Sequence, residues 1–243
     1  MIVSHKEEHY LTLTIARPER RNALTSAMYH ALDQGLQSAQ ADPACHAVIL
    51  TGTSECFTAG NDLTEFQAHR SAEDSPALAF LRTLANINVP VIAAVEGHAI
   101  GIGVTLLQHC DFVYAGDSAL FKMPFVSLGL CPEGGSSTQM ARLVGARRAA
   151  EWLLLGKPFN ATEARDSGFI TAIAPAGQAL SMAQETATVL AKQPGQALRI
   201  SKQMLREPGR AELMQTFDTE RTHFNERLQS PEAQAAFQRF FER

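Results

Sequence analysis

Three short strand-like runs, Val48-Ile49-Leu50, Val91 to Val95 and Asp111 to Ala115, recur along the first half of the chain with helical patterns between them. Runs this short and this apolar read as buried strands. Strands that alternate with helices argue for a parallel sheet covered by helices, hence an α/β fold.

The flanking segments agree with that class. Tyr10 to Ala16 alternates apolar and polar side chains and reads as an early strand, and Arg17 to Asn22, with Pro18, reads as a loop. Leu24, Met28, Leu32 and Leu36 recur at helical spacing on one face, behind Thr25 or Ser26 as N-cap. Val48 to Leu50 ends at Thr51-Gly52-Thr53, and a glycine-bearing loop and a helix precede Pro90. Gly97 to Gly103 links the second run to an apolar helix through about Gln108. From Gly145 onward the chain reads mostly as helices, broken at Lys157-Pro158, Gly168, Pro194-Gly195, Glu207-Pro208-Gly209 and Ser230-Pro231. Leu213, Phe217, Phe224 and Leu228 keep helical spacing, as do Phe237, Phe240 and Phe241. That is more aromatic surface than a small terminal extension buries alone, so packing against another subunit is expected.

A chain of 243 residues, 45% hydrophobic and 19% charged, fits one ordinary globular domain with a small helical appendage. The net charge of −4 gives no electrostatic reason to expect nucleic acid. Arg20-Arg21 and Arg147-Arg148 read mainly as solvated surface charge. Cys45, Cys56, Cys110 and Cys131 form no C-x-x-C pair, so no zinc or thioredoxin-like spacing is present and reduced thiols are expected. No signal peptide or membrane span is read in the sequence, which makes a cytoplasmic enzyme the expectation.

Three loops carry polar chemistry. Phe57-Thr58-Ala59-Gly60-Asn61-Asp62-Leu63 follows a strand, and alone it is a turn. Ala99-Ile100-Gly101-Ile102-Gly103 lies in the equivalent place and leads into a helix whose free amides favour an anion. Two such loops could aim two N–H donors at one oxygen, as an oxyanion hole requires. A dinucleotide-binding turn competes for the second loop, but Leu106 stands where its third glycine belongs. The third segment, Leu128-Gly129-Leu130-Cys131-Pro132-Glu133-Gly134-Gly135-Ser136-Ser137, sets one carboxylate among apolar and glycine neighbours. Its plainer reading is a first-turn Glu stabilised by a helix dipole. No His pair has metal spacing, and His98 and His109 read as structural or surface residues. Ser136-Ser137 lacks a nucleophile elbow and reads as helix capping.

Together with Arg17-Pro18 to Asn22-Ala23-Leu24, Pro90 to Gly97, Cys110-Asp111 and Asn160 to Ala164, these loops resemble the crotonase (enoyl-CoA hydratase/isomerase) superfamily over the whole chain. The resemblance implies a ββα spiral core over residues 1–190, binding CoA and acyl chain, and a helical trimerisation region over 191–243. It implies an acyl-CoA thioester substrate, no cofactor beyond the coenzyme A of the substrate, no metal, and a homotrimer or dimer of trimers. It assigns the oxyanion-hole amides to Asn61 and Ile102. It places Ala23 near the CoA, and it makes Ala59, Gly60, Asp62, Leu63, Gly103 and Phe125 substrate-binding.

Hydratases of the superfamily carry two glutamates where this chain has Thr105 and Phe125, which puts ordinary hydration in doubt. Pro132-Glu133-Gly134-Gly135 and Gly60 to Phe66 are similar to the peroxisomal-type Δ3,Δ2-enoyl-CoA isomerases, with Glu133 as the single acid/base. The alternatives are a hydratase-like enzyme, a ring-epoxide or dienoyl-CoA isomerase, and a non-catalytic acyl-CoA-binding relative. Asp62 reads instead as ordering its own loop.

Overall fold

The computed structural model describes residues 1–67 and 74–242, without the side chains of Phe66, Gln67, Phe240 and Phe241, so the expectation for the last two rings lies outside the described residues. An N-terminal hairpin, β1 (Ile2–Lys6) and β2 (Tyr10–Ile15), leads through a loop to α1 (Ser26–Ala41). Thr25 caps that helix by accepting the Met28 amide, and Met28, Leu32 and Leu36 are buried as their spacing requires. The strand β1 is an addition to the sequence reading.

A three-element turn then repeats. A buried strand is followed at once by a short strand of a second sheet, and then by a helix: β3 (Ala47–Thr51), β4 (Cys56–Thr58), α2 (Pro76–Asn86); β5 (Val91–Val95), β6 (His98–Ile100), α3 (Ile102–Thr105); β7 (Phe112–Gly116), β8 (Leu120–Lys122), α4 (Ser136–Val144). The link from Gly97 to Gly103 therefore contains a strand, and the apolar helix expected to run through Gln108 is one α turn followed by a 3-10 segment, Leu106–His109. The chain continues through α5 (Ala146–Leu153), β9 (Phe159–Asn160), α6 (Ala161–Asp166), β10 (Ala172–Ala174), α7 (Ala179–Ala191), α8 (Gly195–Leu228) and α9 (Pro231–Phe241).

The larger sheet has the order β1-β2-β3-β5-β7-β10 and is parallel except for the hairpin. Its central strands β3 and β5 are buried throughout because both faces are covered. Val48, Leu50, Val91, Ala93 and Val95 enter the main core, while Ala47, Ile49, Ile92 and Ala94 face Ala179, Ala183 and Ala187 of α7. The smaller sheet has the order β4-β6-β8-β9, with its first three strands parallel. Since β4, β6 and β8 lie side by side and point the same way, the loops that follow them emerge together.

Two expectations are corrected. Glu207-Pro208-Gly209 is no break, because α8 runs through Pro208 as one helix of 34 residues. Pro208 lacks the amide that would bond back one turn, and the helix is held instead by the packing of its later turns. Leu213, Phe217, Phe224, Leu228 and Phe237 need no second subunit for burial, since each sits in this chain's own core.

Candidate active site

The first loop folds back along the segment before α1. Leu24 donates its amide to the Gly60 carbonyl at 2.8 Å, and Asp62 donates to the Leu24 carbonyl at 2.9 Å. In this parallel bridge the residue between them, Asn61, turns its own N–H and C=O to the opposite side. The end of β6 lies against this loop: a Cβ on Gly60, whose φ is +92°, would stand 2.8 Å from the Ile100 carbonyl oxygen. The second loop begins at Gly101, whose φ of +57° swings the chain into α3. Gly103 packs on Thr58, where a Cβ would meet the threonine methyl at 2.6 Å. Among the described residues, the Asn61 and Ile102 amides donate to no protein acceptor.

The third loop meets the second through one hydrogen bond. Thr105 Oγ1 donates to Glu133 Oε1 at 2.6 Å, and Gly134 packs on the same threonine. His109 lies beneath, with Nε2 2.8 Å from the Gly134 carbonyl oxygen. Burial pulls its pKa down to about 4, so the ring is neutral near pH 7 and donates from Nε2. The N-terminus of α4 is capped from outside: Glu220 of α8 accepts the Gly135 amide at 2.6 Å and the Ser137 amide at 2.9 Å. Ser136 and Ser137 are therefore not the caps expected of them, since Ser136 bonds the Glu133 carbonyl through its amide and hydroxyl. Glu133 precedes the N-cap residue Gly135 by two positions, outside the first turn where the dipole reading would place it.

Asp62 orders its loop, as its sequence setting suggests. It accepts from the Thr64 amide and hydroxyl and from Arg17 at 2.7 Å. Burial acts to raise its pKa, but the bonds from Arg17 and Thr64 outweigh it and hold the carboxyl below its ordinary range. A lowered folded-state value means stability present above the ordinary carboxylate range and lost as the pH falls through the lowered one. Asp62→Asn is therefore expected to melt below wild type at neutral pH, with the gap closing on acidification below about pH 4. A gap in Tm that stays constant on acidification contradicts this.

Arg17 also donates to the Ala23 carbonyl, so Ala23 lies beside the first loop. Buried Asn22, at φ +58°, ties that segment to Cys56 and Thr53. Tyr29 of α1 donates its hydroxyl to the Asn61 side chain. Leu63 packs against the main core and Phe125 lies within it. The structure thus brings Asn61, Ile102, Gly103 and Glu133 together through Thr58, Ile100 and Thr105. The sequence reading missed Tyr29 and Glu220, neither of which carries a local signal, while His109 is a buried structural residue. Among the described residues no three His, Cys, Asp or Glu side chains cluster as metal ligands do. No described helix is long and apolar enough to cross a membrane.

A family model described as Enoyl-CoA hydratase/isomerase matches residues 5–243. The chain is 41% identical to the Pseudomonas aeruginosa protein OdaA, covering 100% of this chain and 99% of that one with a TM-score of 0.96. It is 34% identical to the 2,3-dehydroadipyl-CoA hydratase of Escherichia coli K12 over 92% of this chain and 88% of that protein. It is also 33% identical to enoyl-CoA delta isomerase 2 of Rattus norvegicus over 95% of this chain, which spans 61% of that relative. With its ββα turns, its three converging loops and a family match over nearly its whole length, the chain belongs to the enoyl-CoA hydratase/isomerase family.

Proposed function

We propose that the chain is an acyl-CoA isomerase that shifts the double bond of a 3-enoyl-CoA to give 2-trans-enoyl-CoA. The observation that carries this reading is the Glu133 carboxylate held at 2.6 Å by Thr105, a residue standing where a hydratase has one of its two glutamates. Hydration by two carboxylates needs an acid and a base on either side of a water. Thr105 instead donates a hydrogen bond to Glu133, and Phe125 offers a phenyl ring. A relative named as a hydratase and one named as an isomerase match at nearly equal identity, so the site residues weigh more than the kinship.

In this mechanism the thioester oxygen accepts from the main-chain amides of Asn61 and Ile102. Glu133 removes a proton from C2, and the electron pair moves into the carbonyl to give a dienolate stabilised by those two donors. The same carboxyl, now protonated, returns the proton to C4, and the double bond comes to rest between C2 and C3. No water, metal or redox cofactor enters. Ala23 would adjoin the CoA, and Ala59 to Leu63, Gly103 and Phe125 would surround the acyl thioester.

We place the enzyme in the cytoplasm as a trimer or dimer of trimers. Ile200, Met204 and Leu205 of α8 support an assembly, because they are apolar and 47%, 70% and 81% exposed. Sedimentation at micromolar protein is expected to show an oligomer, and a monomer contradicts it. The reaction is tested by giving the purified protein 3-enoyl-, 2-enoyl- and ring-type acyl-CoAs and identifying each product. Conversion of the 3-enoyl compound supports the reading. A ring-type product alone, free thiol release, or binding without turnover each assigns the site to another chemistry.

A further inference from the structure

We propose that Glu220, on the long helix α8, is a positioning residue that fixes the Glu133 carboxylate by gripping the Gly134–Gly135 peptide group of the same loop. The proposal rests on the isomerase reading above and concerns a residue that reading does not use.

The carbonyl of Gly134 and the amide of Gly135 belong to one peptide group, the second after Glu133. His109 holds its oxygen at 2.8 Å and Glu220 holds its nitrogen at 2.6 Å, so the plane is fixed at both poles. Both flanking residues have positive φ, +70° at Gly134 and +78° at Gly135, a backbone that glycine does not fix by itself. The rigidity comes from the two side chains. A side-chain cap at position 135 is disfavoured, because the φ of +78° there strains any residue but glycine. The cap arrives from elsewhere in the chain, 85 residues away.

Glu220 is only 6% exposed, and among the described residues no Lys or Arg pairs with it. Burial pushes its carboxyl above the ordinary range, against the Ser137 and Gly135 hydrogen bonds that favour the ionised form. An unpaired buried carboxylate is costly, and the amides and positive end of α4 are its compensation. With the Gly135 and Ser137 amides on Glu220 and the Ser136 amide on the Glu133 backbone carbonyl, those donors of the helix end are committed elsewhere.

The test compares Glu220→Gln, His109→Phe and Glu133→Gln with wild type on a 3-enoyl-CoA, with folding checked by circular dichroism. Gln keeps the size of Glu220 but presents an NH2 group toward an amide donor. Phe keeps a ring against Phe217 while freeing the Gly134 carbonyl. Displacing a catalytic group by about 1 Å costs on the order of 10²-fold, so kcat is expected to fall about 10–100-fold in Glu220→Gln with KM nearly unchanged. His109→Phe is expected to lose about tenfold in kcat. Folded variants with a lower Tm and wild-type kcat would make the clamp purely structural and overturn the proposal. If Glu220→Gln does not fold, His109→Phe decides on the same criterion. Loss of turnover in Glu133→Gln alone leaves the isomerase reading standing without the clamp, whereas turnover retained in Glu133→Gln removes the reading itself.

Discussion

Glu133→Gln is expected to abolish nearly all isomerisation. A positioned general base contributes about 10²–10⁴-fold, and this carboxyl both takes and returns the proton, so the loss belongs in the upper part of that range. The substitution isolates proton transfer. Gln can still accept the Thr105 hydrogen bond seen at 2.6 Å, and the Glu133 main chain keeps its bonds to Ser136. In the proposed mechanism substrate binding uses the amides of the other two loops, so KM is expected to change little. A folded Glu133→Gln enzyme with most of its turnover would mean that another residue is the base.

The second large effect concerns the oxyanion hole and pairs two substitutions at adjacent residues. Gly60→Ala would strain a backbone at φ +92° and push a Cβ to 2.8 Å from the Ile100 carbonyl, which displaces the neighbouring Asn61 amide. Misplacing one oxyanion donor costs about 10²–10³-fold in kcat. Asn61→Ala keeps the main-chain donor, so it is expected to retain appreciable activity. Its cost falls on stability: the Tyr29 hydroxyl loses this acceptor, and a typical hydrogen bond is worth about 0.5–1.5 kcal/mol. Steady-state kinetics with denaturant unfolding separate the two effects. An Asn61→Ala enzyme that loses turnover while Gly60→Ala keeps it would refute a main-chain hole at this position.

The contrast between these residues shows what the sequence discloses. Val48 to Leu50 and Val91 to Val95 are legible because both faces are buried and every side chain is apolar. The start of α1 is legible because Thr25 caps locally. The strands β4, β6 and β8 are three residues each, too short for any period, and exist because they pair with one another. The convergence of the three loops depends on that pairing. The two glycine loops could therefore be recognised individually, while their meeting through Thr58, Ile100 and Thr105 could not be read from their spacing.

The C-terminal region was misread for a related reason. Pro208 is a strong local signal for a break, at about 3 kcal/mol in a helix interior. It is overridden where Leu213, Phe217, Phe224 and Leu228 dock on the core. Those same residues suggested a subunit interface, because their spacing shows an apolar face without showing what covers it. Glu220 lies on that helix and looks like any surface glutamate in sequence. Only the fold brings it to the start of α4.

The central claim is that one carboxylate makes this site an isomerase, and the most direct measurement compares two rates of the wild-type enzyme. Purified protein is given a 3-enoyl-CoA and, separately, the matching 2-trans-enoyl-CoA, with products identified by mass. The account predicts rapid conversion of the first to an isomer of unchanged mass, and slow or no addition of water to the second. Faster hydration of the 2-trans-enoyl-CoA than isomerisation of the 3-enoyl-CoA would contradict it.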